Sequence, residues 1–185
     1  MTEEGLKPGK DKVRAITEMP KPQDTAELGR FLGMITYVSK FIPNVSELSA
    51  PLRLLMKKDI MWHWDQEQEK SFQALKKAIS EAPVLAYYDV NKPVTLSADA
   101  SSKGIGAVLL QEGRPVAYAS KALTASQQNY AQIEKEMAAI EFGSRRFHKL
   151  LFGKTVDVET DHKPLEMIFK KPLHTTPMRL QRMRL

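Results

Sequence analysis

Apolar residues recur every three or four positions along the first third of the chain. Leu28, Phe31, Leu32, Ile35, Val38 and Phe41 form one stripe, the signature of an amphipathic helix. Asp24 with Glu27 three residues on makes a capping-box start, and Pro43 ends the helix. A second short helix is expected over Val45–Met56, with Leu48, Leu52 and Leu55 on one face. The aromatic segment Met61-Trp62-His63-Trp64-Asp65 turns the chain. A third helix from Gln66 to about Ser80 points Phe72, Leu75 and Ile79 inward, and Pro83 closes it. Residues 24–83 therefore read as a small helical unit. Residues 1–23, interrupted by Gly5, Pro8, Gly9, Pro20 and Pro22, read as a linker.

The period changes after Val84. Val94, Leu96 and Ala98 alternate with Thr95, Ser97 and Asp99, a strand with one polar face. Gly104 and Gly106 lead into a second strand over Ile105–Gln111, and Gly113-Arg114-Pro115 makes a tight turn into a third over Val116–Lys121. A long helix is expected from about Ser126 to Leu150, then a strand over Thr155–Thr160, then a helix over His162–Lys171 stopped by Pro172. The order β-β-β-α-β-α over residues 84–185 implies an antiparallel hairpin set followed by a crossover to a parallel strand, hence a mixed sheet in an α/β fold.

At 185 residues the chain has room for one ordinary domain and a smaller one. Hydrophobic content of 42% and charged content of 27% belong to a folded chain rather than a disordered one. No run reaches the roughly 18 apolar residues of a membrane span, and the Met-Thr-Glu-Glu-Gly-Leu-Lys start has no apolar signal core. With zero cysteines, disulfides and thiolate metal sites are excluded, which suits a reducing compartment. The net charge is +6, and its placement is uneven. From Lys163 to the end, six basic residues (Lys163, Lys170, Lys171, Arg179, Arg182, Arg184) face one acid, Glu166. Such a segment suits a polyanion, most often a phosphate backbone, and equally suits a solvated helical face.

Three short acidic motifs carry the candidate chemistry: Ser-Ala-Asp-Ala-Ser at 97–101, Glu-Lys-Glu at 134–136 and Glu-Thr-Asp-His at 159–162. If the fourth strand lies parallel beside the first, Asp99 and Asp161 project from neighbouring carboxyl ends, where open α/β sheets place their ligands. On the long helix, the buried stripe is expected to be Ile133, Met137, Ile140 and Ser144. At about 100° per residue Glu136 falls about 60° from Ile133, while Glu134 and Glu141 sit further round on the opposite shoulder. Converging carboxylates call for a cation between them, and oxygen ligands without thiolates point to a hard divalent ion. Each residue also fits a plain structural role: an Asx-turn at Asp99, a solvated face at 134–136, an N-cap at Asp161. Gly104-Ile105-Gly106 precedes a strand and is not a dinucleotide loop, and no phosphate loop supports an ATPase-like reading. His148, His162 and His174 lack zinc spacing.

Taken together, these residues resemble a known family. Leu96-Ser-Ala-Asp-Ala-Ser-Ser-Lys-Gly-Ile-Gly-Ala-Val-Leu-Leu-Gln111, Asn129-Tyr-Ala-Gln-Ile-Glu-Lys-Glu-Met-Ala-Ala-Ile140 and Thr160-Asp-His-Lys-Pro-Leu165 are similar to the ribonuclease H domain of gypsy-type LTR retroelement Pol polyproteins. Glu27-Leu-Gly-Arg-Phe-Leu-Gly-Met-Ile-Thr-Tyr37, Phe41-Ile42-Pro43 and Ala50-Pro-Leu-Arg-Leu-Leu55 resemble the thumb and connection that follow the reverse transcriptase palm. The resemblance implies that residues 1–23 end the palm, 24–83 form the helical thumb/connection, and 84–185 form a ribonuclease H-like domain.

It further implies a metal-dependent endonuclease that cuts the RNA strand of RNA–DNA hybrids. Asp99, Glu136 and Asp161 match the family's first three catalytic acids. They would hold two Mg²⁺ ions about 3.5–4 Å apart, replaceable by Mn²⁺, with Asp99 between the two. Lys163, Lys170, Lys171, Arg179 and Arg182 would grip phosphates. The implied partners are the hybrid and the rest of the polyprotein, with the palm upstream and the remaining ribonuclease H segment and integrase downstream. No membrane is involved, and the implied location is intracellular, in a cytoplasmic particle or the nucleus. The family's fourth acid lies in a later Ala-Asp-Ala motif with a further strand and helix. After Asp161 the only acid here is Glu166, so a C-terminally truncated, weakly active piece that favours Mn²⁺ is expected. A binding module without catalysis is the alternative.

Overall fold

The computed structural model describes residues 5–184. Its first helix, α1 (Lys10–Thr17), falls inside the expected linker. The linker expectation for residues 1–4 lies outside the described residues. Pro8 and Gly9 precede α1 and Pro20 follows it, so these breakers bracket a helix instead of preventing one. Ile16 is buried against the helical core, and Leu6 pairs with Leu85 through two backbone hydrogen bonds of 2.8 and 2.9 Å.

Helix α2 (Thr25–Val38) starts at Asp24, whose side chain accepts from the Glu27 amide at 2.8 Å. The expected single helix over Val45–Met56 is two short ones, α3 (Val45–Leu48) and α4 (Ala50–Leu54). Pro51 has no N–H to give the Glu47 carbonyl, so the ladder breaks there. Helix α5 (Gln66–Ser80) completes this layer. Phe31, Ile35, Leu52, Leu55, Phe72 and Leu75 make its core, with the Phe31 and Phe72 rings 4.6 Å apart.

The sheet has the order β3-β2-β1-β4. Strands β1 (Val94–Ala100), β2 (Gly104–Gln111) and β3 (Arg114–Ala122) are antiparallel neighbours, and β4 (Val156–Glu159) runs parallel to β1. The mixed sheet is thus the one that the pattern of apolar and polar positions implied. The long helix is broken into α6 (Ala125–Gln128), α7 (Gln132–Arg146) and α8 (His148–Leu151). Glu134 makes the break, because its carboxylate turns back to accept the Ala131 N–H at 3.0 Å and starts a new helix. Helix α7 packs on the face of β1 and β2 that carries Leu96, Ala98 and Ala107. Its buried stripe ends on Gly143, not on Ser144, which is exposed. A Cβ on Gly143 would lie 2.8 Å from the Ala107 Cβ and 2.9 Å from Leu96 Cδ1, so the helix approaches as only glycine allows.

After β4 come α9 (Pro164–Lys170), a 3-10 turn (Leu173–Thr175) and a final helix, α10 (Met178–Arg184), that the sequence reading did not anticipate. Leu180 of α10 is buried with Met137 and Ile140 of α7. The helical layer meets the sheet at β3. Tyr118 packs on the helical core, and Ser120 Oγ accepts from the Ser46 amide at 2.9 Å. Among the described residues no helix is long and apolar enough to cross a membrane.

Candidate metal centre

The parallel pairing of β1 and β4 aligns Ser97 with Glu159. Two residues beyond that pair, Asp99 and Asp161 leave neighbouring chain ends, and a carboxylate oxygen of each lies within 4.8 Å of the other. Both are exposed. Asp99 alternates outward from the buried Ala98 and Ala100, and Asp161 follows the last residue of β4 by two.

The third carboxylate arrives from α7. Glu136 is 2% exposed. One oxygen of each of Asp99, Glu136 and Asp161 lies within 4.8 Å of the others. Strand alternation and helical phase each act locally, and together they bring the three expected acids to one point. Glu134 and Glu141 are not part of it. Glu134 caps α7, and Glu141 pairs with Arg145 at 2.9 Å.

Gln132 completes the site and carried no signal in the motif reading. Its side-chain amide donates to Glu136 Oε1 at 2.6 Å and to the Ala100 carbonyl at 2.9 Å. It therefore ties the first turn of α7 to the end of β1. A glutamine one turn before Glu136 on the same helical face was the available clue. The second oxygen, Glu136 Oε2, is buried and has no hydrogen-bond partner in the structure. Burial pushes the Glu136 carboxyl above its ordinary range. The Gln132 amide draws it back, and the charges of Asp161 and Asp99 raise it further.

An orphaned buried carboxylate oxygen beside two more carboxylates is unfavourable as it stands, since burial and like charges both oppose ionisation. The donor set is all oxygen and formally trianionic, which fits a hard divalent cation such as Mg²⁺ or Mn²⁺. No histidine or other carboxylate joins the cluster among the described residues.

The basic tail is less free than its composition implies. Arg179 Nη1 donates to Glu134 Oε1 at 2.8 Å, and the guanidinium stacks 4.2 Å from the Tyr130 ring centre. Arg184 donates to the Ile168, Phe169 and Lys171 carbonyls at 3.0–3.2 Å, capping the end of α9. Lys163, Lys170, Lys171 and Arg182 are exposed.

Comparison with known proteins agrees with this architecture. A family model described as an RNase H-like domain found in reverse transcriptase matches residues 64–158. The Retrovirus-related Pol polyprotein from transposon 297 of Drosophila melanogaster is 36% identical over 91% of this chain and 16% of its own length. That from transposon opus of the same organism is 39% identical over 89% of the chain and 18% of its own length. The Transposon Tf2-3 polyprotein of Schizosaccharomyces pombe is 34% identical over 89% and 13%. The chain thus spans less than a fifth of these relatives. Among solved structures, the foamy viral protease-reverse transcriptase dRH in complex with double-stranded DNA superposes with a TM-score of 0.84. It is 22% identical, with 98% of this chain and 33% of that one covered. The foamy viral enzyme in complex with an RNA/DNA hybrid gives 0.79 at 22% identity, over 97% of this chain and 25% of that one. At that identity the likeness speaks for the fold.

Proposed function

The chain belongs to the retroelement Pol polyproteins that carry a ribonuclease H-like domain, and from that membership we propose that it cuts the RNA strand of an RNA–DNA hybrid at Asp99, Glu136 and Asp161. One observation carries the reading: carboxylates from β1, α7 and the end of β4 lie within 4.8 Å, one of them with a buried, unpartnered oxygen. In this reading residues 24–83 serve as the thumb and connection of a polymerase, and residues 84–185 as the nuclease unit.

Asp99, Glu136 and Asp161 would hold the divalent cations. When bound, such ions activate water and neutralise charge on the phosphate under attack. The chain itself supplies position. Asp99 and Asp161 face solvent from adjacent strand ends, where a phosphodiester can reach them. Glu136 is held from behind by Gln132 and walled in by the sheet, so its donor atom does not wander. The exposed Lys163, Lys170, Lys171 and Arg182 would hold phosphates without reading sequence, and Arg179 would contribute only on leaving Glu134. RNA is told from DNA by its 2′-hydroxyls.

The test is cleavage of an end-labelled RNA–DNA hybrid by the full chain in Mg²⁺ and in Mn²⁺, with Asp99→Asn as control. The expected result is cutting of the RNA strand that disappears in the variant while hybrid affinity remains. A folded wild-type chain that binds the hybrid and cuts neither strand in either metal refutes the nuclease and leaves a binding module.

A further inference from the structure

We propose that the cleft between the helical layer and the β3 edge, where Arg53, Lys121 and Arg146 converge, binds the phosphodiester backbone of a nucleic acid. It is a second anion site, separate from the carboxylates and from the basic tail. It rests on the nuclease reading only for the identity of the polyanion.

The cleft holds about 460 Å³, and no aspartate or glutamate lines it. Its three cations come from three distant parts of the chain: α4, β3 and the last turn of α7. All three are exposed, and none forms an ion pair with a carboxylate among the described residues. Arg53 is held by hydroxyls, donating to Ser49 Oγ at 3.0 Å and Thr36 Oγ1 at 3.4 Å. Such bonds orient the guanidinium and leave its charge uncompensated. Like charges do not gather around an acid-free hollow without cost, and a bound anion removes that cost.

The position of the cleft argues for a backbone and not a free anion. Asp99 pairs across the sheet with Gly106, and Gly106 with Ser120. Residues directly opposite share a face, and two strand spacings separate Ser120 from Asp99 by about 10 Å. Ser120 lines the cleft. Ser46 borders both the cleft and the small recess that holds Asp99, so the two lie on either side of one residue. A strand whose phosphate sits at Asp99 has its next phosphates within reach of this surface. The contacts would be to phosphate and carry no sequence information.

The experiment is fluorescence anisotropy of two labelled probes, an RNA–DNA hybrid and a double-stranded DNA, in EDTA from 50 to 200 mM KCl. The wild type is compared with R53Q/K121Q/R146Q and with K10Q/K70Q/K77Q, which removes the same charge from exposed residues of α1 and α5 that do not line the cleft. Circular dichroism confirms that each variant is folded. Each lost phosphate contact lowers the slope of log K against log salt by about 0.9 for a duplex. The cleft variant is expected to lose about 2–3 in slope and roughly 10–100-fold in affinity for both probes at 100 mM salt, with the control nearly unchanged. An unchanged slope in the cleft variant, an equal loss in the control, or a wild type that binds neither probe overturns the proposal. The nuclease reading fails separately: a wild type that does not cut yet loses affinity through the cleft variant keeps the groove without the enzyme.

Discussion

Two glycines inside helices make opposite predictions from the same substitution. Replacing an interior helical glycine by alanine gains about 1 kcal/mol of helix propensity. At Gly33 in α2 an added Cβ meets nothing within 4 Å, so Gly33→Ala should stabilise the chain by about that amount. At Gly143 the added methyl meets the Ala107 Cβ at 2.8 Å and Leu96 Cδ1 at 2.9 Å. Ala107 Cβ is fixed to the β2 backbone, and Leu96 is fully buried, so neither can step aside. Overpacking of this kind costs about 1–3 kcal/mol. Here the upper part of that range applies, and Gly143→Ala should be destabilising by about 1–2 kcal/mol net. For a chain of 185 residues each kcal/mol is worth roughly 2–4 °C in melting temperature. The variants should therefore melt on opposite sides of the wild type, about 5–10 °C apart. Gly143 is also two helical turns from Glu136 on the same face. Lifting α7 there should weaken divalent-ion binding, read as a smaller Mg²⁺-induced rise in melting temperature. Urea and thermal unfolding followed at 222 nm decide the matter. A Gly143→Ala chain as stable as Gly33→Ala would refute the close approach of α7 to the sheet.

Other expected outcomes follow from the same geometry. Glu136→Gln removes a buried charge facing Asp99 and Asp161. In EDTA it should raise stability by about 1–3 kcal/mol, and it should abolish the rise in melting temperature that Mg²⁺ or Mn²⁺ gives the wild type; a fall in EDTA would contradict the strain at the site. Arg179→Ala breaks the contacts to Glu134 and Tyr130. It should cost about 1 kcal/mol and speed amide exchange over residues 178–184, and unchanged exchange would show that Leu180 alone docks α10. Burial raises the Tyr118 phenol above its ordinary value of 10.0. Its neutral form is favoured by folding, so that contribution to stability is present below pH 10 and lost as the pH rises through the folded value. Ultraviolet titration should show a lagging component from Tyr118 that is lost in Tyr118→Phe.

What could be read from the residues depended on how local the cause was. Strand alternation pointed Asp99 outward, and helical phase selected Glu136 over Glu134 and Glu141, because both follow from geometry within one element. The mixed sheet was legible from the order of the elements and the rules that connect them, while the place of β4 beside β1 entered only as a condition. Helix α1 was not, since Pro8, Gly9 and Pro20 carry the same letters whether they interrupt a helix or bracket it. The break at 129–131 depends on Glu134 folding back onto Ala131, a choice between two uses of one carboxylate. Gln132 and Arg179 act across long sequence separations, on Ala100 and Glu134, and no periodicity records such bonds. Ser144 was expected inside and Gly143 is there instead, because the helix comes closer than side chains usually permit.

The join between the helical layer and β3 bears on how an outer strand is kept from pairing. Strand β3 is an outer strand of the sheet, and outer strands offer unpaired backbone groups to any other chain that can pair with them. Here the Ser46 amide donates to the Ser120 hydroxyl, and the half-buried Tyr118 packs against the helical core. The helical layer therefore shields the face of β3 around Tyr118 and Ser120. Cutting the chain near residue 84 to obtain the sheet alone would bare an aromatic ring and a pairing edge together. Such a fragment should self-associate more readily than the whole chain, so the boundary that looks natural along the sequence is a poor place to divide the protein.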